Sequence, residues 1–167
     1  SQSLISSLLT VFKFTSITSS FFLVGALLAI TFLTLDINGR VAQTNFELRK
    51  LGSIASLIWV FSNLAFILLT LANILNSSVS EVLKPNILRS FLQQVPLGQY
   101  LFAQLLLSIL ILLIMPRFNS IGTGTFLLLA TLLAIMIPVF QSHSASGGSH
   151  LMAVGSLAIH VIALALW

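Results

Sequence analysis

The chain has 167 residues, of which 57% are hydrophobic and only 6% charged, with a formal net charge of +4 and a mean hydropathy of +1.12. A soluble domain carries about one quarter charged residues, so an ordinary globular fold is excluded. The absence of cysteine removes disulfides, thiolate metal sites and a cysteine nucleophile. Seven Lys and Arg scattered near helix ends form no basic stripe for nucleic acid.

Runs of about 20 apolar residues recur, each long enough to cross a hydrocarbon core of about 30 Å as a helix. They are continuous and lack the period-two alternation of a membrane barrel. The expected architecture is an all-α membrane protein, a single transmembrane domain over residues 1–167. It comprises a polytopic bundle of about five transmembrane helices and one interfacial amphipathic helix.

The first crossing is expected at 14–35, after an apolar lead-in that Lys13 interrupts. The chain opens on Ser1 without Met, which is compatible with trimming or a missing leader. A polar connection with Asp36, Arg40, Glu47, Arg49 and Lys50 follows, expected as a solvated loop with some helix. The second crossing, 51–75, carries Ser56, Asn63 and Thr70 at spacings of seven, hence on one helical face. Such residues commonly hydrogen-bond to neighbouring helices. Polar groups in a membrane are also costly and mark pathways, which makes Asn63 a candidate pathway residue.

Residues 80–95 are too polar to span. Ser78 and Glu81 fit a capping box, and Ile87, Leu88, Phe91, Leu92 and Val95 recur at helical spacing. This pattern predicts a helix lying in the membrane interface, with Lys84 and Arg89 reaching toward head groups. Pro96 and Gly98 are expected to stop that helix and turn the chain into the third crossing, 99–115. A Gly and Thr turn then leads to the fourth, 126–140, and the fifth is expected at 151–167. Its 17 residues barely span and end without a polar anchor, so the chain reads as cut off inside this helix. Positive residues in the short connections set the orientation. Lys13, Lys84 and Arg89 fall on one side, and Arg40, Arg49, Lys50 and Arg117 on the other. The second group is expected in the cytoplasm.

All three histidines lie near the end of the chain. His143 and His150 are seven residues apart across Ser, Ala and Gly, which let the backbone bring two imidazoles to one ion, with Met152 beside them. Imidazole suits copper and zinc, and a thioether selects monovalent copper. No carboxylate is near, which disfavours calcium and magnesium. Histidines in a Ser and Gly loop also occur without any ligand role, so spacing alone leaves both readings open. His160 lies ten residues further on, about 15 Å along a helix, and cannot share an ion with His150. It is a second copper station, an axial haem ligand, or a histidine bonded to a neighbouring helix. A bis-histidine haem lacks its partner, since the first four crossings contain no histidine. The only acidic residues are Asp36, Glu47 and Glu81, all expected in loops, so no general acid and base pair and no enzyme activity is expected.

The ordered combination of "SEVLKPNILRSFLQQVPLGQYLFAQLLL" and "HSASGGSHLMAVGSLAIHVIALALW" resembles the copper resistance protein D family. The closest likeness is to the bacterial form fused to a cytochrome c oxidase assembly module of the CtaG type, over its N-terminal part. The family's surface helix ends in a Thr/Val-Pro-Leu-Gly turn, matched by Val95, Pro96, Leu97 and Gly98. Its histidine order is matched by His143, His150 and His160, and its tryptophan by Trp167. Gln141 and Ser142 stand where the family usually has Thr-Gly before the first histidine. The resemblance implies a multi-pass protein of the bacterial plasma membrane that handles copper, moving it across the bilayer or toward cytochrome oxidase. Other readings are a haem-binding redox membrane protein of four-helix type and a non-catalytic subunit of a respiratory complex. The expected partners are the lipid bilayer and oxidase or other membrane-complex subunits.

Overall fold

The computed structural model describes residues 2–33, 46–144, 159–160, 163 and 166–167, with side chains up to Pro138 and at the final positions. Among the described residues, six helices precede residue 145. They are α1 (Gln2–Leu28, running into a π-helical turn Ala29–Leu33), α2 (Phe46–Leu75), α3 (Val79–Val82), α4 (Pro85–Gln94), α5 (Pro96–Ile114) and α6 (Ile121–Ser144). Among the described residues, four helices are long and apolar enough to cross a membrane, namely Ser3–Phe32, Glu47–Leu75, Pro96–Ile114 and Ile121–Pro138. The all-α membrane architecture therefore stands.

The four long helices form a closed up-and-down bundle. Helix α1 packs on α2 and α6, and α5 packs on α2 and α6. At one end, Gly52 near the start of α2 meets Met115 just past α5, while Gly124 in the first turn of α6 meets Thr31 in the π turn. A Cβ at Gly124 would lie 2.3 Å from Thr31 Oγ1. Hydrogen here in place of a side chain is what lets these two helices close. Arg49 ties the same end together, donating to the Phe118 carbonyl with its guanidinium carbon 4.9 Å from the Phe118 ring centre. The main core lies between the helices around Leu23, Leu27, Trp59, Ile111 and Leu127. Phe14, Phe22, Phe61, Leu113 and Leu129 are exposed, as lipid-facing side chains are in a bundle without a polar outer face.

At the opposite end, α3 and α4 cap the bundle. Val82 and Phe91 are buried with Ile67, Leu71 and Leu101, and Ile87, Leu88 and Leu92 pack against them. The expected single surface helix 80–95 is in fact two. The residue before a proline is pushed out of the helical region, and Lys84, at ψ 129°, breaks the chain ahead of Pro85. Val95 ends α4 in extended conformation and is exposed, so it is no part of the apolar face. The capping box also fails: Ser78 sits at the N-cap of α3 without a side-chain cap bond, its hydroxyl instead meeting Ser80 Oγ at 2.9 Å. Lys84 and Arg89 are exposed, as expected for residues that reach head groups.

Several predicted boundaries move outward. Lys13 does not interrupt the first helix, which starts eleven residues before it, at Gln2. Pro96 starts α5 instead of stopping α4, because proline at the first helical position loses no hydrogen bond. Gly98 lies inside α5, where a Cβ would come within 1.9 Å of the Phe91 carbonyl oxygen. The Gly and Thr stretch is likewise helical from Ile121. Ser120 caps it, its Oγ accepting from the Thr123 amide at 3.2 Å and its carbonyl from the Gly124 amide at 3.0 Å. Helix α2 closes on Asn76 in the left-handed region, φ 50°. The connection containing Asp36 and Arg40, and most of the expected fifth helix, lie outside the described residues.

Candidate functional site

Helix α6 contains Pro138. Proline has no N–H, so the carbonyl four residues earlier, that of Ala134, loses its helical partner. Gln104 on α5 replaces it, donating Nε2 to Ala134 O at 3.0 Å in a buried position. A deeper polar joint links three helices: Ser16 Oγ donates to Asn63 Oδ1 at 2.8 Å, and Asn63 Nδ2 points to Ser108 Oγ at 3.4 Å. Ser56, one further along the stripe, is also buried but bonds within its own helix, to Gly52 O at 2.9 Å. Thr70, the third member, has its hydroxyl shielded and without a partner.

Between these joints and the cap lies a cavity of about 460 Å³ bounded by α1, α2, α5 and α6. Ligand sites in proteins span roughly 300–1,000 Å³, so it is large enough for a small molecule. Trp59, Phe21, Phe66 and Tyr100 supply aromatic walls. The polar lining consists of Ser16, Ser20, Asn63, Thr70 and Gln104, with Lys13 at the rim. No imidazole, thioether or carboxylate is among the described lining residues. The hydroxyl and amide groups there are hard donors, poorly matched to monovalent copper.

The sequence-derived ligands fall elsewhere. His143 belongs to the last turn of α6 and not to a loop, since that helix runs to Ser144. Five residues separate it from Pro138, about 7.5 Å of helix, so its backbone sits at the capped end of the bundle, next to the cavity rim. His150 and Met152 lie outside the described residues. His160 is helical and exposed with Ile159, and it does not line the cavity. Among the described residues no group of three or more His, Cys, Asp or Glu is placed to hold a metal.

A family profile described as copper resistance protein D-like, N-terminal domain, matches residues 4–166. The chain belongs to the copper resistance protein D-like family. Neither a curated protein nor a solved structure matches it. The copper resistance protein D-like match takes in α1 through α6 and continues past His143, His150 and His160. The turn that carried the resemblance, Val95 to Gly98, now has a physical reason. It is the joint at which the surface helix meets α5, and it needs proline to start one helix and glycine to admit the carbonyl of the other.

Sequence reasoning singled out Asn63 but missed Gln104, Tyr100 and the place of Lys13 at the cavity rim. A proline inside a spanning helix was the available signal for Gln104, because it demands a side-chain donor from a neighbour.

Proposed function

We propose that this chain moves copper across the bacterial plasma membrane. His143, at the capped end of the bundle, receives the ion together with His150 and Met152, and His160 serves as a separate station. The observation that carries this reading is the family match across the whole bundle and all three histidines. The position of His143 on the final turn of α6 supports it, because a spanning helix then fixes the first ligand at the membrane surface. Monovalent copper is satisfied by two or three soft or imidazole ligands, and a transporter must also release its ion, which suits an open ligand set.

The hard-donor cavity does not serve as a copper station in this scheme. Asn63, bonded on one side to Ser16 and facing Ser108 on the other, acts as a bolt between helices. Delivery of copper toward cytochrome oxidase assembly is the downstream role implied by the sequence's resemblance to the form fused to an assembly module.

The test measures copper bound by the purified chain and copper accumulated by cells. Replacing His143 and His150 together lowers both; unchanged values remove the reading. An absorption spectrum separates the haem alternative, since haem gives a Soret band and monovalent copper does not.

A further inference from the structure

The cavity between α1, α2, α5 and α6 has a chemistry of its own, unlike that of the histidine segment. Among its described lining residues the one charged group is Lys13, exposed on a membrane-spanning helix, and there is no carboxylate. An ionisable side chain in a spanning segment is costly unless something answers its charge. A lysine reaching toward the interface would account for the ammonium alone, but other donors lie beside it. Tyr100 brings a phenol to the lining. Thr70 borders the same space with a hydroxyl that has no partner and that a change of rotamer would free for a ligand. Ser16 and Gln104 already donate within the protein, to Asn63 and to Ala134. Lys13, Tyr100 and Thr70 are therefore the donors that the lining offers to a ligand. Trp59, Phe21 and Phe66 supply apolar walls, and Lys13, Ile17 and Pro138 on its margin are exposed, so the space opens between α1 and α6 on the flank of the bundle.

We propose that this cavity binds an anionic phospholipid, with Lys13 on the phosphate, Tyr100 and Thr70 donating to its oxygens, and the acyl chain lying along the aromatic wall. A bare metal cation is repelled by Lys13 and finds no soft ligand. A water-borne phosphate would satisfy the donors but leave the aromatic wall unused.

The experiment reconstitutes the full chain in vesicles containing both phosphatidylglycerol and phosphatidylcholine and identifies retained lipid by native mass spectrometry. The wild type retains phosphatidylglycerol in about tenfold preference, a difference one well-placed ion pair supplies. Lys13→Gln loses the preference, Lys13→Arg keeps it, and Lys84→Gln, on the surface connection away from the cavity, keeps it too. Thermal unfolding of each variant establishes that the bundle is intact. Equal retention of both lipids by the wild type overturns the proposal, as does a preference that survives Lys13→Gln or one that Lys84→Gln removes equally. Displacement of the lipid by millimolar inorganic phosphate also overturns it, because the site would then be one for free anions. None of these results depends on copper binding at the histidines.

Discussion

Gln104 stands in for a missing backbone amide: its Nε2 hydrogen-bonds the Ala134 carbonyl that Pro138 leaves without a helical partner. Leaving a buried carbonyl unsatisfied costs about 1–3 kcal/mol. Gln104→Leu should lower bundle stability by that order. Pro138→Ala restores the backbone amide, so it should recover a large part of the loss in the double variant. Thermal unfolding in detergent of the two single variants and the double variant checks this; additive effects would show that the side chain does not substitute for the amide.

Gly98 should tolerate no side chain. A Cβ there meets the Phe91 carbonyl at 1.9 Å, and this neighbour is backbone that cannot turn away. Overpacking of this kind costs about 1–3 kcal/mol. Gly98→Ala should therefore detach α4 from α5, seen as faster proteolysis between residues 76 and 95. Gly52→Ala meets only the flexible end of Met115 and should cost less.

The Ser16 and Asn63 pair should behave as a structural bolt. A double-mutant cycle with Ser16→Ala and Asn63→Leu should return a coupling near 0.6 kcal/mol, the average for hydrogen bonds between membrane helices. Copper bound per chain should not change in either variant. A fall in bound copper at full stability would place Asn63 on the copper path.

Arg49 should matter through its shape as well as its charge. It caps the Phe118 carbonyl and stacks on the Phe118 ring, and lysine lacks the planar group needed for both. Arg49→Lys should lower the unfolding temperature nearly as much as Arg49→Ala; full rescue by lysine would reduce the contact to a point charge.

Orientation gives a further check. The positive residues in the connections and near the helix ends are Arg40, Arg49, Lys50 and Arg117 against Lys13, Lys84 and Arg89. A reporter fused at Asn119 should score cytoplasmic and one at Ser146 external; the reverse pattern would invert the bundle and move His143 to the inner face.

Long apolar runs made the spanning helices legible because burial in lipid demands one composition all round the helix. Their ends were less legible, since Lys13 interrupts the apolar run without breaking the helix, and Pro96 and Gly122, helix breakers in water, sit at or near the start of these helices. The cavity could not be read at all. Its lining comes from Lys13, Asn63, Tyr100 and Pro138 on four different helices, and only packing brings them together. His143 was legible as a ligand type, while its place on a helix depended on where α6 ended.

Helix α5 has 19 residues and α2 has 30, about 28 Å against about 45 Å at the usual rise. The shorter helix has no spare turns with which to follow a thicker bilayer, whereas its neighbours can tilt or stand proud. Helix α5 is thus one of the parts that gauge hydrocarbon thickness, and a mismatch there loads its first turn, where Pro96 and Gly98 hold the cap. A thick, sterol-like membrane would pull at this joint.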